Sequence, residues 1–171
     1  MNNNELKDNF IKFFGIDKWN REVMLGYLYK EELKLCKYLG IELIPVVVDS
    51  IEEDSRYYIE DNYIVISDKL ILDKTEALKC LIHELRHCYL NCVRDNVDNY
   101  LVNIWKEEFS NAHILEYGSM ALELDAFAFT KYIMKNWYNI IVIFPDLEYD
   151  EILNRYIDKY FIKKYGQLLF A

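Results

Sequence analysis

The chain has 171 residues, more than half of them apolar, which is enough to bury one core and too much for a disordered segment. Its net charge of −9, with no lysine–arginine cluster, counts against nucleic-acid binding, because such binding rests on neutralising phosphates. No apolar run approaches the ~18 residues of a membrane span, and the opening MNNNELKDNF lacks a basic-then-apolar signal pattern, so no membrane association and a cytoplasmic location are expected.

In chain order, NNELKDNFIKFF and NREVMLGYLYKEELKLCKYLG carry apolar residues at three- and four-residue spacing and predict two helices, the second closed by Gly40. IELIPVVVDS is a β-branched apolar run and predicts a buried strand. RYYIEDNYIVIS predicts a hairpin turning at Asp61–Asn62, with Tyr63 to Ser67 as its second strand. Asp73 followed by Glu76 has capping-box spacing, so a helix should begin there and run to about Cys92. RDNVDN breaks the pattern. YLVNIWKEEF and the long NAHILEYGSMALELDAFAFTKYIMKNW are helical again, with Gly118 offering a break. NIIVIFP fits either a strand or a buried connector, and DLEYDEILNRYIDKYFIKKYG predicts a final amphipathic helix. Helices before and after a small sheet make an α+β domain.

CLIHELRHCYL, in the middle of the helix that starts after Asp73, carries the chemistry. Histidines four apart on a helix differ by ~40° in azimuth and ~6 Å in rise, so His83 and His87 can converge on one ion. Zinc accepts such a pair and leaves room for a third protein ligand and a water. Glu84, directly after the first histidine, stands where a carboxylate reaches that water rather than the metal, the general-base position of a metallohydrolase. The apolar residues before His83 put the pair on a helix buried on at least one side, where unmatched imidazoles would cost several kcal/mol.

Four residues downstream offer a third ligand: His113, Glu116, Glu123 and Asp125. Glu123 lies in the apolar surroundings of SMALELDAFAFTKY, where a carboxylate needs a partner, and its side chain is longer than that of aspartate. Glu116 is ~10 Å further along the same face, and Asp125 is ~200° around the helix, so neither can share an ion with Glu123. We expect Glu123 to bind and Asp125 to orient a neighbouring group such as Arg86 or a helix end. The four cysteines (Cys36, Cys80, Cys88 and Cys92) lack paired C-x-x-C spacing and are expected to stay reduced, as small apolar packing residues.

HELRH followed by an ELDAFAF helix resembles the intracellular gluzincin-type metallopeptidases, the nearest being the ImmA/IrrE-like proteins of bacterial mobile elements and stress responses. The resemblance covers roughly residues 42 to 134. Arg86 replaces a common family glycine, and ELDAFAFT departs from the family's E-x-E-A-N/D-x-F-A, although either alignment register puts a family glutamate at Glu123. The resemblance implies a zincin-like fold, with a small mixed sheet and its edge strand packed on the HExxH helix and a glutamate-bearing helix. Length makes one domain over 1–171, with N-terminal helices over 1–40, a core over 41–136 that the resemblance implies is catalytic, and a connector and helix over 137–171. The resemblance also implies one zinc per chain, held by His83, His87 and Glu123, with Glu84 as base, and a protein or peptide substrate such as a transcriptional repressor. The strand Tyr63–Ser67 is expected to pair with extended substrate. Two other classes stay open: a non-catalytic metal-binding interaction module that keeps the fold, and a zinc hydrolase acting on a small molecule. Glu84 favours catalysis, since a structural site needs no base.

Overall fold

The structure, a computed structural model, describes residues 3–93 and 121–162. The chain divides into two compact units, Met1–Leu85 and Arg86–Ala171, with the boundary inside one continuous helix.

The first unit opens with α1 (Asn3–Phe14) and α2 (Ile16–Leu39). Gly15 separates them at φ 88°, a left-handed conformation open to glycine, and α2 restarts at once, four residues earlier than its apolar spacing predicts. Gly40 ends α2 as expected, at φ 69° with its N–H on the Cys36 carbonyl. The strand expected over 41–50 is shorter, β1 (Val46–Asp49). Pro45 has no N–H to give to a ladder, and the Ile44 amide donates instead to the Glu32 carboxylate at 2.9 Å. The hairpin forms as β2 (Ser55–Tyr58) and β3 (Tyr63–Ser67), with Asn62 at φ 52° in its turn.

Sheet order is β1-β3-β2, parallel between β1 and β3 and antiparallel between β2 and β3. Ile64, Val65 and Ile66 are consecutive and all buried, as expected of a strand covered on both faces. This order overturns the expectation that Tyr63–Ser67 pairs with substrate: β3 is central and has a neighbour on each side. Among the described residues the open edges belong to β1 and β2. The helix α3 (Lys74–Val93) begins where predicted, with Asp73 Oδ1 accepting the Thr75 and Glu76 amides at 3.1 and 3.0 Å. Leu78, Leu81, Ile82 and Leu85 bury its apolar stripe.

The second unit contains the end of α3, then α4 (Ala121–Tyr138) and α5 (Leu147–Tyr156), the last continuing as a wider π-helical turn, Ile157–Ile162. Asn139 ends α4 at φ 55°, and NIIVIFP proves to be a connector. It is tied down by the Phe144 amide on Asp150 Oδ1 at 2.9 Å. Asp146 caps α5 through the Tyr149 amide at 3.1 Å. Phe129, Ile133, Met134, Leu153 and Phe161 form the interior. The predicted break at 94–99, the helix over 100–109, the stretch 111–120 with Gly118, and the tail beyond Ile162 lie outside the described residues. The fold class is α+β with a small mixed sheet, and no described helix is long and apolar enough to cross a membrane.

Candidate metal centre

The middle of α3 presents two imidazoles, a carboxylate and a guanidinium in just over one turn: His83, His87, Glu84 and Arg86. His83, Glu84 and Arg86 are buried and His87 is half-buried. Glu123 enters from the first turn of α4, only 8% exposed, with Oε1 3.3 Å from His87 Nε2. His83, His87 and Glu123 each offer one ligand atom, and these atoms lie within 4.8 Å of one another.

The donor set fits zinc. Bonds of ~2.0–2.1 Å in a tetrahedral arrangement set neighbouring ligand atoms ~3.3–3.4 Å apart; His87 and Glu123 stand at 3.3 Å, and the set as a whole lies within 4.8 Å. Two imidazole nitrogens and one carboxylate oxygen are also the ligand types that zinc takes while keeping a fourth position open. Of the other third-ligand candidates, His113 and Glu116 lie outside the described residues.

Asp125 is engaged elsewhere. Its Oδ2 accepts Arg86 Nε at 2.5 Å, and its Oδ1 accepts both Arg86 Nη2 at 3.3 Å and the Tyr156 hydroxyl at 2.9 Å. The Arg86 guanidinium lies 4.7 to 5.3 Å from the ring centroids of Tyr89, Phe129 and Phe161. Burial works against the Arg86 charge, but the Asp125 carboxylate outweighs it and holds the guanidinium protonated. Burial and the Asp125 charge together push the Tyr156 hydroxyl up, so it remains a donor.

Glu84 is not among the clustered ligand atoms. Its Oε1 accepts the Ser55 hydroxyl at 2.7 Å, from the first residue of β2. Cys80, one turn earlier on α3, shares this corner. Burial pushes its thiol up to about 12 against a hydrogen bond with Ser55, with smaller contributions from the Asp54, Glu84 and Glu76 carboxylates. No disulfide joins the four cysteines.

Ser55 and Tyr149 are site residues that the sequence does not single out. The Tyr149 hydroxyl is buried without a hydrogen-bond partner among the described residues, and burial followed by the Glu123 charge pushes it up to about 12. Phe127 and Phe144 fix its ring, with centroids at 6.3 and 5.7 Å. Neither residue carries a local signal: Ser55 is one polar residue at a strand start, and Tyr149 is one of fifteen tyrosines.

No protein family, curated protein or solved structure matches the chain.

Proposed function

We propose that the chain is a cytoplasmic zinc-dependent peptidase with a zincin-like fold, of gluzincin type and nearest in pattern to the ImmA/IrrE-like proteins, and that it hydrolyses peptide bonds in a protein or peptide substrate. The observation that carries this reading is the approach of His83, His87 and Glu123 to within 4.8 Å, with the buried Glu84 carboxylate left outside that set. Four cysteines without a disulfide suit a reducing compartment.

Bound zinc would supply Lewis acidity, polarising the substrate carbonyl and making water a better nucleophile. The remaining work belongs to the chain. Ser55 holds Oε1 of Glu84, which leaves Oε2 to take the proton of the attacking water and later return it to the departing amine. Tyr149 is our candidate donor to the developing oxyanion, since its hydroxyl is a buried donor with no described partner, in the field of Glu123. Extended substrate has an open strand edge at β2. The Ser67 amide bonds the Asp54 carbonyl at 2.8 Å and Ser55 pairs with Ile66, so the backbone groups of Ser55 and Tyr57 turn away from β3. Substrate docking and base orientation then meet at one residue, Ser55.

Glu84→Gln tests this reading. On a degenerate peptide library read by mass spectrometry, the zinc-loaded wild type cleaves and chelator stops it. The variant is expected to keep its zinc and lose at least about two orders of magnitude in rate. Cleavage by Glu84→Gln at the wild-type rate would contradict the assignment of the base. A zinc-loaded wild type that cleaves no peptide would favour the binding-module reading.

A further inference from the structure

A cleft of about 380 Å³ lies in the first unit, lined by Leu25, Tyr29 and Glu32 of α2 and by residues 43–46 leading into β1. None of these residues belongs to the histidine centre. Leu25, Tyr29 and Glu32 are spaced four and three apart and so share one helix face. Leu43, Ile44, Pro45 and Val46 make the opposite wall apolar. Tyr29 and Leu43 are about half exposed, so the cleft opens to solvent at their side.

Glu32 is the one charged group in this lining, and it is 3% exposed. Its Oε1 accepts the Ile44 amide at 2.9 Å, and the protein gives it no other hydrogen bond or ion pair among the described residues. A carboxylate has about four acceptor sites, so most of its capacity is unmatched by protein. Lys34, two residues beyond it on α2, is bound to Glu31 at 2.8 and 2.6 Å. Burial pushes the Glu32 carboxyl up, and the Ile44 amide only partly offsets this. A glutamine would accept the same amide without burying a charge. Pinning Ile44 therefore does not account for the carboxylate, whereas a cation from outside would satisfy it.

We propose that this cleft is a binding site for a small primary ammonium with an aryl or branched alkyl body, its nitrogen on Glu32 and its body against Leu25, Tyr29 and Pro45. The volume is at the low end for small-molecule sites and exceeds what a single lysine side chain fills, which favours a free amine over a residue of a partner protein.

The test is binding of 2-phenylethylamine to the full chain, followed by the Ile44 amide shift in nitrogen-correlated NMR. Its neutral analogue 2-phenylethanol and N-acetyl-lysine methylamide serve as comparisons. The amine should saturate, at least about tenfold tighter than the alcohol, because the alcohol leaves the carboxylate without a counter-charge. Glu32→Gln should remove that tenfold preference, and Leu43→Trp, at an exposed wall position, should block both ligands without touching the carboxylate. The proposal is overturned by equal affinities for amine and alcohol, by an unchanged preference in Glu32→Gln, or by no saturation below about 10 mM. Tighter binding of the lysine derivative than of phenylethylamine overturns the small-ligand assignment in favour of a protein side chain.

Discussion

In the first unit, Leu28, Leu35, Ile64, Ile66, Leu81 and Ile82 make an aliphatic interior, and the buried carboxylates of Glu32 and Glu84 are each held by a single neutral hydrogen bond in the described contacts. In the second, a guanidinium is enclosed by three aromatic rings and neutralised by an aspartate that also takes a tyrosine hydroxyl. The two interiors differ in what a deletion leaves behind. Removing a neutral donor leaves a carboxylate short of one bond, while removing one ion of the enclosed pair leaves a buried charge alone.

The largest expected effect is therefore in the second unit. Asp125→Ala should cost about 3–5 kcal/mol in urea denaturation, because Arg86 stays charged among Tyr89, Phe129 and Phe161. Replacing both partners together, Arg86→Met with Asp125→Leu, should recover most of that loss. A loss below about 1 kcal/mol for Asp125→Ala would mean that the pair behaves like an exposed one and that the contrast between the interiors is false.

A smaller effect sharpens the comparison through the sign of its pH dependence. The Lys131 ammonium, followed by the Phe144 amide, holds the Asp150 carboxyl below its ordinary value. A carboxyl lowered by folding stabilises above the unfolded value of ~4 and loses that contribution as pH falls through the folded one. Asp150→Asn should thus destabilise by about 1 kcal/mol at pH 7, with the difference vanishing in acid. Glu32 is shifted the other way by burial, so its contribution is present in acid and lost as pH rises through the raised value. Glu32→Gln should gain stability relative to wild type between pH 4 and pH 7. Melting curves of both variants across that range check the pair, and slopes of the same sign would remove the distinction.

Local chemistry was legible in the sequence. The Asp73 cap, the Gly40 terminus and the spacing of His83 and His87 each depend on neighbours within one or two turns. Glu123 was chosen on its apolar surroundings, its longer side chain and the register of the resemblance, and it lies 3.3 Å from His87; azimuth only separated it from Asp125, for which Arg86 was one of two partners named and is the one it takes. Partners distant in sequence were not legible. Ser55 and Glu84 are 29 residues apart, and Tyr156 and Asp125 are 31 apart, with no periodicity to link them. The substrate edge expected at Tyr63–Ser67 failed for the same reason: β-branched composition marks it as a strand but does not say that β1 takes its free side. The shortened β1 shows a tertiary contact prevailing over propensity, since the Ile44 amide goes to Glu32.

The most direct test of the metal centre is elemental analysis of the purified chain after mild dialysis, with wild type and Glu123→Ala measured side by side. The expected result is about one zinc per wild-type chain, added zinc raising the melting temperature, and a much weaker retention in Glu123→Ala, since Glu123 Oε1 lies 3.3 Å from His87 Nε2 in the wild type. Less than about a tenth of a metal per wild-type chain with no stabilisation by zinc, or a Glu123→Ala variant that holds zinc as tightly as wild type, would contradict it.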